Sequence, residues 1–126
     1  MSVSEISNVN FGNLTTIEFR VEDCAKSKVW YSTLLEREPD FVFSDTYFEW
    51  EVAPNTWLQI IEKAPFGGCG PIRFMVSNID TKIQQLRNKV GEIDIVDDQK
   101  QMNSTLRTVT ILDPGGNYIG FLQSLE

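Results

Sequence analysis

Cys69, in the loop FGGCGP, and Glu18, in the segment NLTTIEFRV, are the side chains that could attack a substrate or accept its proton. Cys69 has no imidazole to serve as its base, because none of the 126 residues is histidine. The absence of histidine also excludes Ser-His-Asp sites and histidine-ligated metals within one chain. A carboxylate such as Glu18 could abstract a proton only from within a buried site. We therefore assign no catalytic residue, and an enzyme is not favoured.

The overall composition limits the partners of the chain. With 126 residues, 41% of them hydrophobic, it can build one ordinary core but not two. A net charge of −7 supplies no basic surface for nucleic-acid phosphates, and the apolar runs are far shorter than the roughly 20 residues of a membrane span. Its two cysteines fit a reducing compartment. We predict a cytoplasmic protein that binds neither nucleic acid nor membrane, in which the acidic residues form a solvated surface and favour a cationic ligand.

The order of elements repeats along the chain. NLTTIEFRV alternates apolar and polar residues like a half-buried strand, and a helix follows from the N-cap Asp23. The short strands DFVFS, TYFEWEV and TWLQIIE complete the order β-α-β-β-β. After the Gly- and Pro-rich KAPFGGCGP the same order recurs, with IDTKIQQLRNKV as its helix. We predict one α+β domain over residues 1–126, with modules at about 13–63 and 71–124 and a linker at 64–70.

Two segments resemble a known superfamily. FRVEDCAKSKVWYSTLL is similar to the first strand and helix, and DPGGNYIGFLQ to the final hairpin, of the vicinal-oxygen-chelate superfamily of glyoxalase I, bleomycin-resistance proteins and extradiol dioxygenases. The resemblance covers Leu14 to Gln123. It implies two βαβββ modules that form an incomplete barrel, and a homodimer with ligand clefts formed by dimerisation. The Asp-Pro-Gly-Gly turn reverses a chain with or without chemistry, so it reports fold and not function.

The metal-dependent members of this superfamily hold their ion with four inward-pointing side chains. The matching positions here are Thr16, Gln59, Pro71 and Gly120. Of these, Gln59 alone offers a useful donor, and an amide with a hydroxyl cannot replace the ligand set that Zn²⁺, Ni²⁺ or Fe²⁺ requires. We predict no metal and no other cofactor.

Strand alternation from those four positions predicts a cleft. Direct pairing through the Pro54-Asn55 turn would place Trp50 opposite Gln59, and pairing through the Gly turn would add Arg107. The predicted ligand-binding residues are Glu18, Phe48, Trp50, Trp57, Gln59, Arg73, Arg107 and Tyr118. The aromatic rings could stack on a planar ligand or face a cation, and Glu18 could pair with an amine. The alternative is a collapsed interior in which Glu18 pairs with Arg73.

We therefore predict a metal-independent small-molecule binding protein of the bleomycin-resistance/glyoxalase-like type, which works as a homodimer and holds a cationic or aromatic ligand in an aromatic-lined cleft. Two alternatives remain open. One is a lyase, isomerase or dioxygenase of the same superfamily. The other is a partner-binding domain that uses SDTYFEWEV as an exposed edge strand.

Overall fold

A computed structural model describes residues 12–100 and 105–126 of the chain. Its elements are, in order, β1 (Thr15–Val21), α1 (Cys24–Leu35), β2 (Phe41–Ser44), β3 (Tyr47–Ala53), β4 (Thr56–Glu62), β5 (Ile72–Met75), α2 (Ile79–Val90), β6 (Ile95–Lys100), β7 (Leu106–Leu112) and β8 (Tyr118–Ser124). The predicted α+β class and the repeated β-α-β-β-β order are confirmed.

Each module contributes one four-stranded mixed sheet. The strand orders are β1-β4-β3-β2 and β5-β8-β7-β6, so the two sheets have the same topology. In each sheet the first and last strands of the module pair in parallel and the remaining pairs are antiparallel. The sheets do not close into a complete barrel. The predicted incomplete barrel of two modules is therefore confirmed.

Local capping fixes where the two helices begin. The carboxylate of Asp23 accepts a hydrogen bond from the Lys26 amide at 3.0 Å, as predicted for the first N-cap. At the second helix the Asn78 side chain accepts from the Thr81 amide, also at 3.0 Å. Gly91 ends that helix with a φ of 87°, a conformation that glycine adopts without strain. Neither described helix has the length and apolar composition needed to span a lipid bilayer.

One face of each sheet packs with the helices into a shared core. Trp30, Tyr31 and Leu34 of α1 and Ile79, Ile83 and Leu86 of α2 join the inward-facing strand residues there. We call the other face of each sheet, on which no described helix packs, its open face. The first open face carries Thr16, Glu18, Arg20, Phe41, Phe43, Tyr47, Glu49, Glu51, Trp57, Gln59 and Ile61. The second carries Arg73, Met75, Asp97, Gln99, Thr108, Thr110, Leu112, Tyr118, Gly120 and Leu122.

Buried hydrogen bonds connect the two modules. The hydroxyl of Tyr31 on α1 donates to the Asp113 carboxylate in the β7–β8 turn at 2.6 Å. The side-chain amide of Asn117 in the same turn donates to the carbonyl of Arg20 at the end of β1. The DPGGN turn thus reverses the chain and also binds the first module. These bonds help to fix the positions of the two sheets relative to each other.

Candidate functional site

A β-bulge in β3 changes which residues reach the first open face. Without it, the Ala53–Thr56 pair beside the Pro54-Asn55 turn would continue to a Trp50–Gln59 pair, as predicted. The register instead shifts between Glu51 and Ala53, so that Trp50 pairs with Leu58. The predicted pairing is therefore wrong by one residue.

This shift removes two of the eight predicted residues from the cleft. Phe48 and Trp50 are 1% and 0% exposed and belong to the core, with their rings 5.5 Å apart. Tyr47, Glu49 and Glu51 take their places on the first open face. The sequence contained a signal for this result, because Phe48 and Trp50 alternate with two glutamates, as residues of a buried face do.

The predicted position of Arg107 in the cleft is also wrong. Leu112 pairs with Tyr118 at the base of the turn, so the residue opposite Gly120 is Thr110, and Arg107 points to the helix side. It is 7% exposed and bonds Asp98 on β6 and Asp80 on α2, each at 3.0 Å. The hydrogen bond to Asp98, followed by the one to Asp80, raises the pKa of the guanidinium. Arg107 is thus a structural ion-pair residue and does not line the cleft.

The first open face brings together three of the predicted residues. Glu18 lies directly opposite Gln59, and Trp57 lies opposite Thr16 on the same pair of strands. The Arg20 Nε donates to the Glu18 carboxylate at 3.0 Å, so the ion partner of Glu18 is Arg20 and not Arg73. The Glu18–Arg73 ion pair, which the alternative of a collapsed interior predicted, is therefore wrong.

An aromatic row forms the β2 side of this face. The rings of Phe41 and Phe43 lie 4.5 Å apart, and Phe43 lies 4.5 Å from Tyr47. Phe41 and Phe43 are 51% and 53% exposed, far more than an ordinary core phenylalanine. Burial, followed by the nearby carboxylates of Glu49 and Glu18, raises the pKa of the Tyr47 phenol. The sequence predicted a strand at DFVFS but not which of its residues share a face, so this row was not predicted.

The second open face carries the remaining two predicted residues, Arg73 and Tyr118. Arg73 pairs with Gly120, and its side chain lies across that glycine. A Cβ at Gly120 would lie only 2.6 Å from the Arg73 Cγ. The aliphatic part of an arginine therefore occupies the space next to the position where the metal-dependent relatives have a ligand.

The donor set does not fit a metal ion. Among the described residues no group of three or more Cys, Asp or Glu is arranged to hold one. Of the four matching positions, Pro71 and Gly120 have no side-chain donor, which leaves the hydroxyl of Thr16 and the amide oxygen of Gln59. A metal would require at least three converging donors, which these side chains do not supply.

We expect the purified protein to hold no stoichiometric divalent metal. Elemental analysis after mild chelation is the direct measurement. Retention of about one Zn, Ni, Mn or Fe per chain would contradict the expectation and would point to donors from a second chain.

Two recessed cavities lie beside α1. One of about 590 Å³ lies between α1 and the β7–β8 turn, next to Trp30 and Leu112. Another of about 460 Å³ lies at the start of α1, next to Ser27 and Phe66. None of the eight predicted ligand-binding residues lines either cavity. The predicted cleft is thus a different surface from these grooves.

The two thiols are in different environments. Burial, with the carboxylates of Glu62 and Asp23 nearby, raises the pKa of the Cys24 thiol to about 11. That thiol therefore stays protonated near neutral pH and is a poor nucleophile. Cys69 is half-buried in the linker, where its amide donates to the Asn117 side chain at 3.1 Å. Neither cysteine is in a disulfide.

Comparison with solved structures agrees with this architecture. No protein-family model and no curated protein sequence matches the chain. A glyoxalase/bleomycin resistance protein from Catenulispora acidiphila is 25% identical, with a TM-score of 0.70 over 87% of this chain and 97% of the other. An antibiotic binding protein from Streptomyces is 16% identical, with a TM-score of 0.66 over 93% and 99%. A fosfomycin resistance protein from Listeria monocytogenes is 15% identical, with a TM-score of 0.71 over 91% and 93%.

The fold and the comparisons together define the class of protein. The chain has the fold of the vicinal-oxygen-chelate superfamily, in its glyoxalase/bleomycin-resistance form. The resemblance that the first helix and the final hairpin indicated is therefore confirmed.

Proposed function

We propose that this chain is a metal-independent small-molecule binding protein of the bleomycin-resistance/glyoxalase-like type. The observation that carries the proposal is the first open face, where aromatic rings and hydrogen-bonding side chains share one surface. Tyr47, Glu49, Trp57 and Gln59 are each half-buried there, so each remains accessible to a small molecule. The similar proteins described as antibiotic binding or bleomycin resistance proteins support the same class of function.

Catalysis of the lyase, isomerase or dioxygenase type is the less favoured reading. The carboxylate of Glu18 is 40% exposed and bonded to Arg20, and that of Glu49 is bonded to Gln59. Neither lies in the closed apolar pocket that converts a carboxylate into an effective base.

The unpaired thiols of Cys24 and Cys69 support the proposal that the protein works in the reducing cytoplasm.

A ligand screen with a matched tryptophan variant tests the proposal. Thermal-shift measurements with a panel of metabolites and antibiotics should find compounds that stabilise the protein. Trp57→Ala should then weaken the binding of those compounds by about 1–3 kcal/mol, the range for an aromatic anchor. A panel that stabilises nothing, or hits that bind the Trp57→Ala variant unchanged, would contradict a site on the first open face.

A partner-binding domain is the second candidate function, and β2 is the feature that favours it. The prediction that SDTYFEWEV forms an edge strand is wrong, because its strand β3 pairs on both sides, with β2 and with β4. The strand beside β3 at the edge of this sheet is β2, where Phe41, Val42 and Phe43 are 51%, 50% and 53% exposed. An exposed apolar edge of this kind can pair with another chain.

We expect the protein to be a homodimer in solution. Met75 on the second open face and Val42 on the β2 edge are 62% and 50% exposed, and an association of two chains would cover such residues. Light scattering at micromolar concentration should give twice the 14.4 kDa of one chain. A mass of one chain under those conditions would contradict the dimer.

A further inference from the structure

We infer that the first open face binds an organic ammonium cation with an apolar body, and that Glu49 is the residue that holds its charge. This inference rests on the proposed binding function and names the class of ligand. Glu49 was absent from the residues predicted from the sequence and reaches this face because of the bulge in β3.

Among the residues that the structure describes, the carboxylate of Glu49 has a hydrogen-bond donor but no counter-ion. Its partner is the neutral side-chain amide of Gln59, at 3.0 Å. No described lysine or arginine side chain lies within ion-pair distance of it, whereas Glu18 is paired with Arg20 on the same face. A bound cation would supply the opposite charge that this carboxylate lacks among the described side chains.

Aromatic residues lie next to Glu49 on the β2 side. Phe41 is the cross-strand partner of Glu49, and Tyr47 lies two residues away on the same face. Phe43 continues the row, with its ring 4.5 Å from that of Tyr47. Cross-strand partners lie about 5 Å apart, so one small cation can contact the carboxylate and the nearest ring together.

The chemistry of these groups selects an alkylated ammonium over other ligands. Ring faces attract a positive charge, and they also bury the methyl or aryl groups that an alkylated ammonium carries. Glu49 lies two residues from Tyr47 on the same face, and Glu18 lies on the other side of Gln59. An anionic ligand would be repelled by Glu49, whereas the charge of Glu18 is compensated by Arg20.

Benzyltrimethylammonium, benzyl alcohol and phenylacetate form a probe set with one aromatic ring and three charge states. Binding can be followed by NMR titration of the Trp57 indole and Gln59 amide signals, with circular dichroism as the check on folding. The cation should bind at least tenfold more tightly than the alcohol or the acid. Glu49→Gln, which preserves shape and hydrogen bonding, should reduce the affinity for the cation tenfold or more.

Glu51→Gln is the matched control. Glu51 lies on the same strand and face, but it is exposed and its carboxylate accepts from the Asn55 amide, so the affinity should change less than threefold. Equal binding of the three probes, cation binding that survives Glu49→Gln, or an equal loss in both variants would overturn the inference. In those cases the proposed binding function would stand, since a ligand would still bind the first open face. Binding of none of the probes, together with a negative thermal-shift panel, would overturn both.

Discussion

Replacing Trp50 by alanine is expected to lower the free energy of unfolding by about 3–5 kcal/mol, the usual cost of removing a large buried aromatic side chain. Trp50 is 0% exposed, and its ring lies 5.5 Å from that of Phe48 and 6.0 Å from that of Tyr31. Its indole nitrogen also donates to the Arg37 carbonyl at 3.0 Å, an interaction that alanine would abolish. Urea denaturation followed by circular dichroism would measure the loss.

Trp57→Ala is the matched control, since it removes the same side chain from the other face of the same sheet. Trp57 is only half-buried and lies on the first open face, so its loss should cost about 1 kcal/mol of stability. Ligand affinity should show the opposite order, with Trp57→Ala affected and Trp50→Ala unaffected at temperatures where it is folded. Equal destabilisation by the two substitutions would contradict the register that the bulge sets.

Replacing Asp113 by alanine is expected to cost about 2–5 kcal/mol, because it leaves several buried donors without an acceptor. Asp113 is 5% exposed, and its carboxylate accepts a hydrogen bond from the hydroxyl of Tyr31. It also accepts from the amides of Gly115 and Asn117 and from the Asn117 side chain. Since Tyr31 lies in the first module and the turn in the second, the substitution also weakens the connection between them. Chemical denaturation monitored by tryptophan fluorescence would measure it.

Two further variants separate this buried network from a general effect of losing a charge. Asp45→Ala, in an exposed turn, should change stability by no more than about 0.5 kcal/mol. Tyr31→Phe removes one donor while Asp113 keeps its other partners, so it should cost about 1–2 kcal/mol. An Asp113→Ala variant as stable as Asp45→Ala would show that the turn does not hold the modules together.

The pH dependence of Tyr31→Phe provides an independent readout. Burial, followed by the adjacent carboxylate of Asp113, raises the pKa of Tyr31 well above its ordinary value. The folded chain therefore keeps this proton at a pH where the unfolded chain, with a tyrosine pKa of about 10, has lost it. Stability should fall as the pH rises above about 10, and Tyr31→Phe should show a smaller fall than the natural chain.

The sequence by itself determined the order of the elements and the start of the first helix. The apolar alternation in β1 predicted that Glu18 and Arg20 lie on one face of the strand and the core residues Phe19 and Val21 on the other, as they do in the structure. The Asp23 cap and the Pro- and Gly-rich turns also act through neighbouring residues, so they can be identified without knowing what packs against them. These local signals sufficed for the repeated β-α-β-β-β order and for the resemblance.

The tertiary structure decided which side chains of β3 lie beside Gln59 on the first open face. A bulge displaces pairing by one residue, and one residue exchanges the two faces of a strand. Burying Phe48 and Trp50 against the helices gains about 1.5–3 kcal/mol for each ring, more than the roughly 0.5–1.5 kcal/mol of a ladder hydrogen bond lost at the bulge. The space that the helices leave for those two rings therefore places Glu49, and not Trp50, beside Gln59 on the first open face.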